Sequence, residues 1–116
     1  MREDLRERTK RFALRIIRVY GALPQETVAQ VIGKQVLRSG ISVGANFREV
    51  YRARSNSEFV AKLGVCLQEL EETTYWLELL GKAEIMAQTQ LAELLDECNQ
   101  LIAIFTTISK SRKKAT

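Results

Sequence analysis

The chain has 116 residues, 18 Lys and Arg against 14 Asp and Glu, a formal charge of +4, and no histidine. That length makes one domain, 1–116, with a small core, and the lack of histidine excludes imidazole metal ligands, the Glu-x-x-His pairs of di-iron bundles and histidine-activated nucleophiles within the chain. No run of about 18 apolar residues is present, so no membrane-spanning helix is expected, and the charged opening MREDLRERTKRF leads into no apolar stretch of a secretory leader.

Apolar residues recur at intervals of three and four, which predicts helices throughout. The first is expected over about 2–21, with Leu5, Phe12, Ile16, Val19, Tyr20 and Leu23 inward; Gly21 and Pro24 end it, and Pro24 suits the first position of the next. The second is expected over 25–54, roughly 40 Å long, with Val28, Ile32, Val36, Gly40, Val43, Phe47 and Val50 inward. Ser55-Asn56-Ser57-Glu58 reads as a capping box that opens a third helix over 56–80. Its stripe is Phe59, Leu63, Cys66, Leu70, Thr73, Leu77 and Leu80, and Gly81 reads as its C-cap glycine. Thr89 reads as the N-cap of a fourth helix over 89–110, with Leu91, Leu94, Leu95, Cys98, Ile102, Phe105 and Ile108 inward. Residues 110–116 form a basic tail. Short connections favour antiparallel neighbours, hence an all-α, up-down-up-down four-helix bundle. Cys66 and Cys98 lie within apolar stripes and read as buried thiols in a reducing cytoplasm, a bridge between helices being the alternative.

Ser39, Ser42, Asn46 and Glu49 do not help a helix, yet they fall at spacings of three and four. Glu58, Lys62, Val65, Glu69, Glu72 and Trp76 form a second, partly polar seam of the same period. The economical reading is that the two seams face each other, small residues allowing close approach and Asn46 and Glu49 bonding to Lys62 or to backbone groups. Such a network fixes register. A divalent-ion site on Glu49, Glu69 and Glu72 is the competing reading, weakened by the absence of a dense acidic loop; no metal or cofactor is expected.

Residues 37–80, LRSGISVGANFREVYRARSNSEFVAKLGVCLQELEETTYWLELL, resemble the four-helix-bundle family encoded in intervening sequences of bacterial 23S ribosomal RNA genes. The resemblance rests on Ser39, Ser42, Asn46 and Glu49, then Ser55, Phe59, Lys62 and Leu63, then Glu72, Tyr75, Trp76, Leu77, Leu79 and Leu80. Val50 stands where that family often has alanine, and Gln68-Glu69-Leu70 replaces a more basic or alanine-rich stretch. The resemblance implies a left-handed bundle that assembles as a homopentamer. It also implies a distant relationship to the accessory protein of diversity-generating retroelements, a basic pentamer that binds nucleic acid and a reverse transcriptase.

Charge is unevenly placed. Residues 1–54 hold 12 basic and 5 acidic side chains, residues 55–109 hold 2 and 9, and Lys110, Arg112, Lys113 and Lys114 follow. A polyanion or a complementary subunit surface is the expected partner. In a head-to-tail ring the basic half of one subunit would meet the acidic half of the next; equally, the opposite charges are neighbours within one bundle. Arg8, Arg11, Arg15 and Arg18 span about 80° of the first helix, and Arg48, Arg52 and Arg54 with Lys113 and Lys114 add to them if the fold brings them together. Arginine suits phosphate through its planar fork. The leading expectation is a non-enzymatic oligomeric scaffold that binds RNA or DNA backbone. The alternative is a protein-interaction module that docks an RNA-processing or reverse-transcribing enzyme without touching nucleic acid.

Overall fold

A computed structural model describes residues 4–114, which form four helices: α1 (Leu5–Gly21), α2 (Thr27–Tyr51), α3 (Asn56–Lys82) and α4 (Gln88–Lys114). Local chemistry accounts for the starts of two of them. The Asp4 carboxylate accepts the Arg6 backbone N–H at 2.9 Å, which opens α1 and holds the Asp4 carboxyl below its ordinary pKa. Ser55 Oγ accepts the Glu58 backbone N–H at 3.1 Å and opens α3, which is one half of the expected capping box; the return bond from the Ser55 N–H to the Glu58 carboxylate is not made.

Several limits differ from expectation. Residues 2 and 3 lie outside the described residues. Pro24 does not start α2: its carbonyl accepts the Gln30 side-chain amide at 2.9 Å while Gln30 Oε1 accepts the Tyr20 hydroxyl at 2.7 Å, so a side-chain strap fixes the turn and α2 begins at Thr27. α2 stops at Tyr51, three residues before position 54. Gly81 is not a C-cap but a buried helical residue, and a Cβ there would lie 3.3 Å from Gln88 Cγ and 3.5 Å from Leu91 Cδ1. Its role is the close passage of α4 over the end of α3. The left-handed residue of this connection is Glu84, at φ 60°. Thr89 is already inside α4, and that helix runs on to Lys114, so Lys110–Lys114 belong to its last turns rather than to a tail.

Paired contacts set the topology. α2 and α3 run antiparallel, since Ser39 meets Thr73 while Glu49 meets Lys62. α1 and α2 do the same, Gly33 facing Tyr20 and Leu23 and Gly44 facing Thr9. Gly81 against Leu91 and Asn56 against Arg112 make α3 and α4 antiparallel. The result is an up-down-up-down bundle of 48 × 22 × 21 Å. α2–α3 is the most extensive pairing, and α1 and α4 meet only narrowly.

The core runs the length of the rod through Phe12 and Ile16, Val36, Val43 and Val50, Leu63, Leu70 and Leu77, and Leu91, Leu101 and Phe105. Phe47 and Phe105 stack at 5.3 Å with their planes 2° apart. Val28, expected inside, is exposed, and Ala29 is buried at that turn instead. Cys66 and Cys98 are buried free thiols. Burial pushes their pKa values up to about 12 and about 11.

Candidate nucleic-acid interface

Of the two polar seams as the sequence draws them, Glu49 and Lys62 meet across the interface, whereas Ser39 meets Thr73, a residue of the apolar stripe, in a dry stretch. Thr73 Oγ1 donates to Ser39 Oγ at 2.8 Å between side chains with no solvent exposure, and Ser39 Oγ donates to the Gln35 carbonyl at 2.8 Å. Further along, Ser42 Oγ bonds the Arg38 carbonyl at 2.6 Å and Asn46 Nδ2 bonds the Ser42 carbonyl at 2.9 Å, both within α2. Asn46 therefore satisfies itself on its own backbone rather than on Lys62. Glu49 faces Lys62 at 3.4 Å, and Arg38 spans Glu69 at 3.5 Å and Glu72 at 2.6 Å. The Glu72 hydrogen bond raises the Arg38 pKa. The three carboxylates weighed as an ion site are thus paired with cations from neighbouring positions. No group of three or more metal-ligating side chains occurs among the described residues. Cys66 Sγ reaches the Val43 carbonyl at 3.7 Å, Leu63 is buried, and Tyr75 meets Trp76 edge-on at 5.1 Å.

The arginine row of α1 is turned toward α4. Arg8 grips Glu97 with two bonds of 2.8 Å and donates to Gln100 at 2.9 Å, with its side chain 14% exposed. Arg15 lines a shallow cleft with Glu93, Asp96, Glu97 and Gln100. Along this seam, opposite charges are neighbours within one bundle. Arg11 and Arg18 are exposed.

The topology gathers charge elsewhere. The start of α1, the end of α2, the start of α3 and the end of α4 all lie at one end of the rod. Leaving out Arg8, which is paired with Glu97, segments 4–10, 48–58 and 110–114 there carry nine basic and four acidic side chains, a balance of +5. Arg48, Arg52, Arg54, Lys113 and Lys114 of the expected set lie at this pole, joined by Arg6, Lys10, Lys110 and Arg112. Two aromatic rings anchor it. Arg6 sits over the Tyr51 ring at 3.9 Å, and Arg112 sits over the Phe59 ring at 3.8 Å. Arg112 and Asn56 also exchange hydrogen bonds, Asn56 Nδ2 to the Arg112 carbonyl at 2.8 Å and Arg112 Nη1 to Asn56 Oδ1 at 3.0 Å. That exchange clamps α4 to α3. Tyr51 is 62% exposed and forms the ridge between two clefts of about 320 and 340 Å³. Sequence reasoning missed Arg6, Tyr51 and Arg112 as parts of one surface. The signal available was the run REVYRAR over residues 48–54, a tyrosine set among three arginines.

A model of the family described as 23S rRNA-intervening sequence protein matches residues 3–107. Among solved structures, the chain is similar to a protein of unknown function from the S23 ribosomal protein family of Bacteroides thetaiotaomicron. The two share 36% identity with a TM-score of 0.86, over 92% of this chain and 99% of that one. No curated protein matches.

Proposed function

We propose a function from one premise: this chain belongs to the 23S rRNA-intervening sequence protein family. It is a non-enzymatic, oligomeric scaffold of the bacterial cytoplasm that binds the phosphate backbone of RNA or DNA. The observation that carries this reading is the basic pole, nine basic side chains besides the paired Arg8 against four acidic ones, drawn from four helix ends. Arg48 and Arg52 are exposed there and make no ion pair among the described residues. Helix-end cations of α2 and α4 also offset the macrodipole, but that role does not call for so large an excess.

An assembly of copies, a pentamer by the family resemblance, is supported by apolar side chains left at the surface. Leu14, Ile17 and Ile41 are 46, 49 and 41% exposed, and Val28 and Val31 more so. A ring would set several basic poles side by side and multiply a weak phosphate contact.

The test is filter binding of RNA and DNA across a salt series. Between roughly 50 and 200 mM salt, affinity should fall by an order of magnitude or more if several phosphates are neutralised. Arg48→Ala with Arg52→Ala should weaken binding and flatten that slope, while Arg11→Ala with Arg18→Ala should do less. Affinity that is indifferent to salt rejects the reading, and a monomer in sedimentation at micromolar concentration rejects the ring.

A docking module for an RNA-processing or reverse-transcribing enzyme is the second reading. Val65 and Tyr75, exposed along α3 away from the pole, favour it. Capture of such an enzyme that survives nuclease treatment, by a chain that binds no nucleic acid, would establish it.

A further inference from the structure

We infer that Tyr51 is a stacking platform for an unpaired nucleobase, so that the basic pole takes single-stranded nucleic acid in preference to duplex. This rests on the nucleic-acid reading above and names the ligand class of that surface. A tyrosine ring carries a large apolar face, and this one is left 62% exposed at the end of α2. The Arg6 guanidinium covers part of it at 3.9 Å and is itself oriented by Asp4, through Nε and Nη2 bonds of 3.4 Å. The ring stays mostly open nevertheless. Around it stand Arg48 and Arg52, which with Tyr51, Arg6, Asp4 and Glu7 line one cleft; Arg54, Phe59 and Arg112 line the cleft on its other side. An open aromatic face between two basic clefts is the arrangement by which single strands are held, phosphates on the cations and a base on the ring. Dipole compensation, which accounts for only part of the cation excess, gives no reason for an exposed ring in their midst.

Duplex bases have both faces covered by their neighbours, so this ring can reward only a base that is splayed out. Phosphate contacts, by contrast, are available from either form. The preference for single strands therefore resides in one side chain, and the salt dependence resides in the arginines and lysines.

The experiment is fluorescence anisotropy of the full chain with labelled oligothymidylate and oligouridylate of about 12 nucleotides, within the usual span of a single-strand site. Two further probes are a duplex of that length and an abasic strand with the same number of phosphates. The wild-type chain should bind the base-bearing strands about tenfold more tightly than the abasic strand, the effect of one stacked base. Tyr51→Ala should remove that difference with no change in salt slope, and Tyr51→Phe should keep it. Equal affinity of the wild-type chain for abasic and base-bearing strands overturns the inference without need of any variant. So does a difference that survives in Tyr51→Ala. In both cases salt-sensitive binding of duplex and abasic strands leaves the phosphate-binding reading standing. If the wild-type chain binds none of the probes at low salt, both readings fall.

Discussion

Thr73 and Ser39 meet hydroxyl to hydroxyl at 2.8 Å in the middle of the α2–α3 interface, both fully buried. Carbonyls one turn back lie within reach of each, Glu69 at 2.7 Å from Thr73 and Gln35 at 2.8 Å from Ser39. Two hydroxyl protons serve these three contacts: with Thr73 donating across the interface, Ser39 accepts and passes its own proton to Gln35, and the small size of both residues lets the two longest-packed helices approach.

Thr73→Val removes the bond between helices while keeping the shape. It should cost about 1 kcal/mol in urea unfolding, since each hydroxyl retains or forgoes only one net hydrogen bond. Ser39→Leu, which adds volume where the helices touch, should cost more, about 1–3 kcal/mol. A cycle with Ser39→Ala should show coupling on the order of 0.5 kcal/mol or more; strict additivity would mean the bond carries nothing.

Two glycines of similar helical setting should respond in opposite directions. A Cβ at Gly40 would lie 2.6, 2.8 and 2.9 Å from three carbons of buried Ile16, a β-branched side chain with little room to turn. Gly40→Ala should destabilise despite the ~1 kcal/mol that alanine gains in helix propensity. At Gly64 nothing lies within 4 Å of an added Cβ, so Gly64→Ala should raise the unfolding free energy by up to about 1 kcal/mol. Thermal unfolding of both variants checks the pair.

Arg8 joins α1 and α4, the neighbouring helices with the narrowest contact. Arg8→Ala leaves the Glu97 carboxylate, 15% exposed, without its two-bond partner. A loss of about 1–3 kcal/mol is expected, recovered in part by Glu97→Gln. Nucleic-acid affinity should change little, in contrast to Arg48→Ala with Arg52→Ala. A large drop in affinity from Arg8→Ala at unchanged stability would return the α1 arginine row to the binding surface.

The two cysteines set an alkaline limit. Burial raises both thiols, to about 12 for Cys66 and about 11 for Cys98, above the ordinary value of 9.0. The native state therefore holds two protons that the unfolded chain gives up above pH ~9. Stability is full below that pH and falls as pH rises toward 11 and 12, by a few kcal/mol in all. Cys66→Ala with Cys98→Ala should flatten this decline. In the native wild-type chain at neutral pH both thiols should react with a disulfide reagent only after denaturant is added.

Much of the fold was legible because it depends on neighbours in sequence. Ser55 and Glu58 announced the start of α3, and the stripes through Phe47, Leu63, Leu70 and Phe105 announced the core, since spacing along one helix decides which side chains share a face. Gly81 misled because a glycine at a helix end looks the same whether it caps or permits a close crossing. Glu84, which makes the left-handed turn, carries no such signal. Val28 misleads because the inward stripe shifts by one position at the start of α2, where Ala29 and Gly33 are the buried residues, before rejoining the expected line at Val36.

Composition and periodicity thus determine that this chain makes four amphipathic helices and which edge of each turns inward, because those properties arise within a few turns of one helix. Where charge finally lies is a different matter. Arg8 and Arg15 look free on a helical wheel and are set against the carboxylates of α4, while Arg6, Tyr51, Arg52 and Arg112, scattered over more than a hundred positions, are carried to one end of the rod. Only the antiparallel packing decides that, since it alone fixes which helix ends share a level.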